Sequence, residues 1–271
     1  MSQGQPVGIR RRGFVRCGSL LLLPGAALAL PATAQALPLS QAINRSGKMR
    51  ALSQRLSKAY VQGALSVLPE RARDIQTSTR QLLASSLTEL GAAPLAGEQR
   101  RLLQTLDKDC QGLLEVCAAP RKDALEVARS ADVVLEAADR LTKAFETQAQ
   151  QGSARIVNLA GRQRMLSQRA ARAYFLAAAG HDTPAVRAQL AGARAEFAQA
   201  LATLQSAPIG TPTIRNELEL AKAQWLFYEG ALAKAPSPDA LQTVATTSER
   251  VFEVMDNLTS LYDAALRDLL G

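Results

Sequence analysis

Between residues 40 and 269 the apolar positions recur every three to four residues, the period of an amphipathic helix, and proline or glycine interrupts the runs at intervals. The interruptions fall at Pro69, at Gly91 to Pro94, at Ala118 to Pro120, near Gly152, at Gly180 to Pro184, at Pro208 to Pro212 and at Pro236 to Pro238. They predict eight helices, over roughly 40–68, 71–90, 96–118, 122–150, 154–179, 184–206, 213–234 and 238–269. Abundant alanine and leucine with few β-branched runs agree with an all-α chain.

The pattern repeats. With Asn44 set on Asn158, an offset of 114 residues, Gly47 meets Gly161, Arg50 meets Arg164, Leu52 to Arg55 meets Leu166 to Arg169, and Ala59-Tyr60 meets Ala173-Tyr174. Lys58 meets Arg172, which keeps the charge. Ala93-Pro94 meets Ala207-Pro208, and after a two-residue insertion Asp123-Ala124-Leu125 meets Asp239-Ala240-Leu241. Two copies of four helices with short connections predict two tandem antiparallel four-helix bundles, over 37–152 and 153–271, packed as a pseudo-twofold dimer. Gly152-Ser153 is the expected turn between them, with Ser153 as helix N-cap.

Wound at 100° per residue, the repeated segment has two faces. Leu52, Leu56, Ala59 and Gly63 make a core stripe, and Leu166, Ala170, Ala173 and Ala177 make its counterpart. The opposite face carries Gly47, Arg50 and Gln54 in one copy and Gly161, Arg164 and Gln168 in the other. If these second faces pack on one another, Arg50 stands opposite Arg164. Two guanidiniums that cannot shed their protons require negative charge between them, and neither face holds Asp or Glu over these turns. A small oxyanion accepting forked hydrogen bonds from both would supply it, with Gln54 and Gln168 as further donors. The alternative is that the arginines are solvated or pair with acids from other helices. Arg55 and Arg169, off the centre of the face, read as surface charge, and Tyr60 and Tyr174 as packing anchors beside the core stripe.

Charge narrows the possible ligands. The 271 residues hold 32 basic and 24 acidic side chains, but Arg10, Arg11, Arg12 and Arg16 open a segment with the parts of an export signal. An apolar run from Cys17 to Leu30 and an Ala34-Gln35-Ala36 cleavage signal follow, so a mature chain is expected from about Leu37, in the periplasm. Arg11-Arg12-Gly13-Phe14 resembles the twin-arginine signal; Arg10, where Ser or Thr is usual, leaves Sec export open. Beyond residue 36 the balance is 28 basic to 24 acidic, too even for a nucleic-acid face. No later run approaches the ~20 apolar residues of a membrane span, so no membrane insertion of the mature chain is expected. Cys110 and Cys117 are a helical ~10.5 Å apart, too far for a bridge that needs ~7 Å, and read as small core residues. His181, the single histidine, falls in a turn without a nucleophile or metal-ligand cluster, and C-x-x-C-H is absent, so neither an enzyme nor a haem or other cofactor is expected.

The segment Asn158-Leu-Ala-Gly161-Arg-Gln-Arg164-Met-Leu-Ser-Gln-Arg169 resembles the P-box of bacterial nitrate/nitrite sensor domains and is similar to the N-terminal domain of PilJ-type pilus chemotaxis transducers; Asn44 to Arg55 is a second example. The resemblance implies a periplasmic four-helix sensor that dimerises through its first helix, with a symmetric arginine pair holding the anion. Carried over, that pair is Arg50 and Arg164, with Gly47 and Gly161 in the close-approach positions. The expected function is thus a soluble binding protein for nitrate or nitrite. The competing expectation is a ligand-free helical module that docks onto a membrane sensor, a transporter or a pilus component.

Overall fold

Four of the prolines that interrupt the apolar pattern open helices, because proline at the first helical position gives up an N–H that has no partner there and brings a φ already suited to the helix. The computed structural model describes residues 37–93, 95–119, 123–149, 152–208 and 210–270. The leader-like segment with Arg10 to Arg12, Arg16, Cys17 and Ala34 to Ala36 lies outside them, as do the breaks placed at Pro94 and Pro120. Among the described residues there are eight α-helices: α1 (Leu39–Ala64), α2 (Pro69–Gly91), α3 (Gly97–Ala118), α4 (Ala124–Ala149), α5 (Gly152–Leu176), α6 (Pro184–Gln205), α7 (Pro212–Leu232) and α8 (Pro238–Leu270). Thr183 and Thr211 cap α6 and α7, their hydroxyls accepting from the N–H groups of Val186 (3.3 Å) and Ile214 (3.2 Å).

The boundaries depart from expectation at two places. Helix α1 stops at Ala64, not 68, because a residue before proline is driven out of the helical region and the chain must reverse ahead of Pro69. Ser66 and Leu68 take up the reversal at φ of 56° and 46°, while Gln62 Nε2 donates to the Val67 carbonyl (2.9 Å). At the offset of 114, Ser66 corresponds to Gly180, which has φ of 88° inside a π-helical turn, Ala177–His181, that closes α5. Left-handed geometry thus ends the first helix of each half, by glycine in only one of them. Helix α5 begins at Gly152, so Ser153 lies inside the helix and not before it. Ala154 and Val157 are already buried, and that packing draws the helix toward its N-terminus.

Helix α1 packs on α2, α4, α5 and α8, and α5 packs on α6, α8, α1 and α4. Around each of them the sequential pairs α1–α2, α2–α3, α3–α4 and α1–α4, or α5–α6, α6–α7, α7–α8 and α5–α8, complete a four-helix ring. Exchanging the two halves maps these pairs onto one another, with α1–α5 in the middle. The described residues fold as one compact unit. Among the described residues no helix is long and apolar enough to cross a membrane.

The outer helices differ between halves. Phe197 on α6 stacks on Trp225 of α7, centroids 3.9 Å apart, whereas the equivalent seam holds Leu83 on α2 and Cys110 on α3 and leaves an apolar groove of about 510 Å³. Burial pushes the Cys110 thiol up to about 12 and that of Cys117 to about 11, so both free cysteines stay protonated. Cys110 is buried as expected, and Cys117 is half-buried.

Candidate functional site

Helices α1 and α5 turn most of their surface onto other helices, so their buried polar residues need partners inside the protein. Arg50 and Arg164 are each 1 % exposed. Arg50 donates from Nη1 to Asp139 Oδ1 on α4 (2.7 Å), from Nη2 to Asn158 Oδ1 on α5 (2.6 Å) and from Nε to the Gly47 carbonyl (3.4 Å). Arg164 repeats the arrangement with Asp256 Oδ1 on α8 (2.5 Å), the Asn44 carbonyl on α1 (3.1 Å) and the Gly161 carbonyl (3.3 Å). Each arginine therefore pairs with an acid of its own half and reaches across to an asparagine of the other half. The facing stripes hold no acid over these turns, as expected; α4 and α8 supply one for each guanidinium. The requirement for an external anion between the two arginines is thereby removed, and pairing with acids of other helices is what the structure contains.

Both guanidiniums converge on Gly47, where a Cβ would lie 3.0 Å from Arg50 Nη2 and 3.9 Å from Arg164 Nη2. At Gly161 a Cβ would lie 3.0 Å from Arg164 Nη2 and 3.6 Å from Thr259 Cγ2. The glycines make room for the arginine forks, and those forks are pinned by their hydrogen bonds. Gly47→Ala or Gly161→Ala should therefore destabilise by about 1–2 kcal/mol through overpacking. Gly112→Ala and Gly192→Ala, where a Cβ meets nothing within 4 Å, should stabilise by about 0.5–1 kcal/mol as ordinary helix substitutions. Urea unfolding of the four variants checks the opposite signs.

One turn and two turns on, the same logic recurs. Gln54 Nε2 donates to the Ala131 carbonyl (3.2 Å) and Asp132 Oδ1 (3.3 Å) on α4, and Gln168 Nε2 donates to the Ser248 carbonyl on α8 (2.9 Å). Their amide donors are engaged within the chain. Lys58 on α1 donates to Glu249 Oε1 on α8 (2.7 Å), and Arg172 on α5 donates to both oxygens of Asp132 on α4 (2.9 and 3.1 Å). These pairs join the halves. Arg55, expected at the surface, is instead mostly buried against Glu249 Oε2 (2.6 Å) and Thr79 Oγ1 (2.9 Å), because α8 covers that side of α1. Arg169 is half-buried, its Nε without a partner. Tyr60 and Tyr174 are buried, as packing anchors should be. His181 is half-buried in the π-helical turn.

Burial pulls the pKa of Arg50, Arg164 and Arg172 below the ordinary guanidinium value, against the raising pull of Asp139, Asp256 and Asp132 respectively. For Glu249 burial acts upward but is outweighed by Lys58 and Arg55, which hold its carboxyl at about 2. Sequence reasoning missed these acids because it wound only the repeated segment. A signal existed: Asp132 and Asp139 meet Glu249 and Asp256 at a constant offset of 117, as Thr142 meets Thr259 and Phe145 meets Tyr262.

Beside the arginines the two ends of the seam differ. A cleft of about 280 Å³ between α1 and α8 is lined by Arg45, Lys48, Arg164 and Arg267 with Asp256 and Asp263. Its counterpart between α4 and α5, about 410 Å³, is lined by Arg155, Arg162 and Glu146, with Arg162 tied to Glu196 and Asp139. Arg50 lines neither cleft.

Residues 145–249 match the family model described as Type IV pili methyl-accepting chemotaxis transducer N-term, PilJ. No curated protein and no solved structure matches the chain. The matched stretch runs from the end of α4 into α8 and includes Arg164; Arg50 lies in the internal repeat that precedes it. The match covers 105 of the 271 residues and makes this stretch similar to the N-terminal region of type IV pilus chemotaxis transducers.

Proposed function

We propose that this chain is an exported sensing module that binds a small oxyanion, nitrate or nitrite, in the cleft beside Arg164. The observation that carries the reading is the cleft between α1 and α8, where four cations face two carboxylates. Asp256 is shared by Arg164 (2.5 Å) and Lys48 (2.7 Å), and Arg45 turns outward to Glu89 (2.5 Å), so Arg267 and Asp263, 3.9 Å apart, are the most loosely engaged pair. An oxyanion entering there adds charge-assisted hydrogen bonds of about 1.5–3 kcal/mol each without breaking the Arg50–Asp139 pair. Two or three such bonds, less the entropy of association, correspond at best to a roughly millimolar dissociation constant. Export rests on the leader-like sequence of residues 1–36.

A thermal-shift screen of anions tests the reading, because a ligand that binds only the folded chain raises its melting temperature. Nitrate or nitrite is expected to raise it beyond the effect of chloride at equal ionic strength; equal shifts for all anions would count against the site.

A second reading, docking onto a membrane sensor or pilus component, is favoured by α7. Its outer face presents Leu220, Leu226 and Phe227, the last two 70 % and 68 % exposed. Capture of such a component by the wild-type chain, lost in Phe227→Asp, would support it.

A further inference from the structure

The cleft between α1 and α8 holds something a pure anion site does not need. Asp263 is 5 % exposed, lines the cleft, and its Oδ1 has no hydrogen-bond partner. Asn44 Oδ1, which lines the cleft from α1, is also buried and unpartnered. An amide can be turned end for end, but a carboxylate is acceptor-only, so Asp263 fixes the chemistry: this corner asks for a donor.

The other half of the chain shows the same corner with its polar groups satisfied. There Asn158, the counterpart of Asn44, donates from Nδ2 to Glu146 Oε2 (2.6 Å) and accepts from Arg50 (2.6 Å), which leaves neither end of its amide idle. Glu146 and Asp263 correspond at the offset of 117 that relates the other acids of α4 and α8. Asp263 is one methylene shorter. The missing reach to Asn44 leaves a gap between Asp263 of α8 and Asn44 of α1, with Arg45 and Lys48 of α1 and Arg267 of α8 around it.

We propose that this cleft takes a small zwitterion of the α-amino acid class, its ammonium on Asp263 Oδ1 and Asn44 and its carboxylate on the cations around them, Arg45, Lys48 and Arg267. The inference rests on the reading that the cleft binds an anionic group, and it adds the donor that such a group must carry. A volume of about 280 Å³ admits a small amino acid. A carboxylate alone would satisfy the cations and leave Asp263 buried without a donor; an amine alone would do the reverse. Both requirements met in one molecule give the selectivity, since a site built around a hydrogen bond rejects the analogue that lacks it.

Calorimetry on the full chain with L-alanine, acetate, methylammonium and nitrate tests the inference. L-alanine should bind at least tenfold tighter than acetate or methylammonium, and Asp263→Asn should weaken it at least tenfold. Asp263→Glu restores the length of Glu146: it should raise the melting temperature by closing onto Asn44 and at the same time abolish L-alanine binding. That gain of stability separates a lost site from a lost fold. Acetate binding as tightly as L-alanine, or Asp263→Glu binding L-alanine like the wild type, would overturn the inference. Nitrate binding without L-alanine binding overturns it and leaves the anion reading standing; binding of neither overturns both.

Discussion

Glu249→Gln is expected to lower the unfolding free energy by about 3–5 kcal/mol, the range for breaking a buried ion pair from one side. The acid is 4 % exposed and holds two cations, Lys58 and Arg55, of which Lys58 is fully buried and, among the described residues, pairs with no other carboxylate. For a domain of this size the melting temperature should fall by roughly 10 °C. Lys58→Met in the same chain should restore part of the loss, because it removes the orphaned charge and keeps the volume. The effect has a pH signature. The folded carboxyl titrates at about 2 against an ordinary 4.5, a depressed value, so its contribution is complete above 4.5 and is lost as pH falls toward 2. Urea unfolding of wild type and Glu249→Gln should therefore show a gap that is constant between pH 6 and 7 and narrows below about pH 4.5.

Arg50→Ala should cost about 3 kcal/mol, and Arg50→Lys about 2 kcal/mol, since a lysine cannot reproduce the fork. The guanidinium meets Asp139, Asn158 and the Gly47 carbonyl at once. Its removal opens a cavity and strips Asn158 Oδ1 of its donor, whereas Asp139 keeps Lys143 (2.8 Å) and Arg162 (3.7 Å). The loss is thus larger in packing and amide desolvation than in charge. Arg187→Ala, which breaks an exposed pair with Asp182, should change stability by less than about 0.5 kcal/mol. Because Asn158 belongs to α5 and Arg50 to α1, a double-mutant cycle between them reads the attachment of one half to the other, with an expected coupling of about 1–2 kcal/mol.

Helix number, order and most boundaries were legible because proline and glycine act locally. The end of α1 was misplaced by four residues because Ser66 and Leu68 adopt left-handed geometry without a glycine to announce it. The arginine pair was legible from the repeat alone, since identical offsets placed Arg50 and Arg164 on equivalent faces. Their partners were not, because Asp139 and Asp256 lie on helices where the repeat has slipped from 114 to 117 residues, and a helix wheel of α1 or α5 cannot see α4 or α8. The same blindness made Arg55 look solvated. The asymmetry of the clefts came last, since it turns on one methylene between Glu146 and Asp263.

The anion reading is tested most directly by titrating nitrate and nitrite into the full chain and into Arg164→Gln, with heat as the readout. Saturable one-to-one binding in the wild type, weakened at least tenfold in Arg164→Gln, is the predicted result. No saturable heat up to roughly 10 mM of either anion, above the roughly millimolar dissociation constant expected of so few hydrogen bonds, or equal binding by the variant would contradict it.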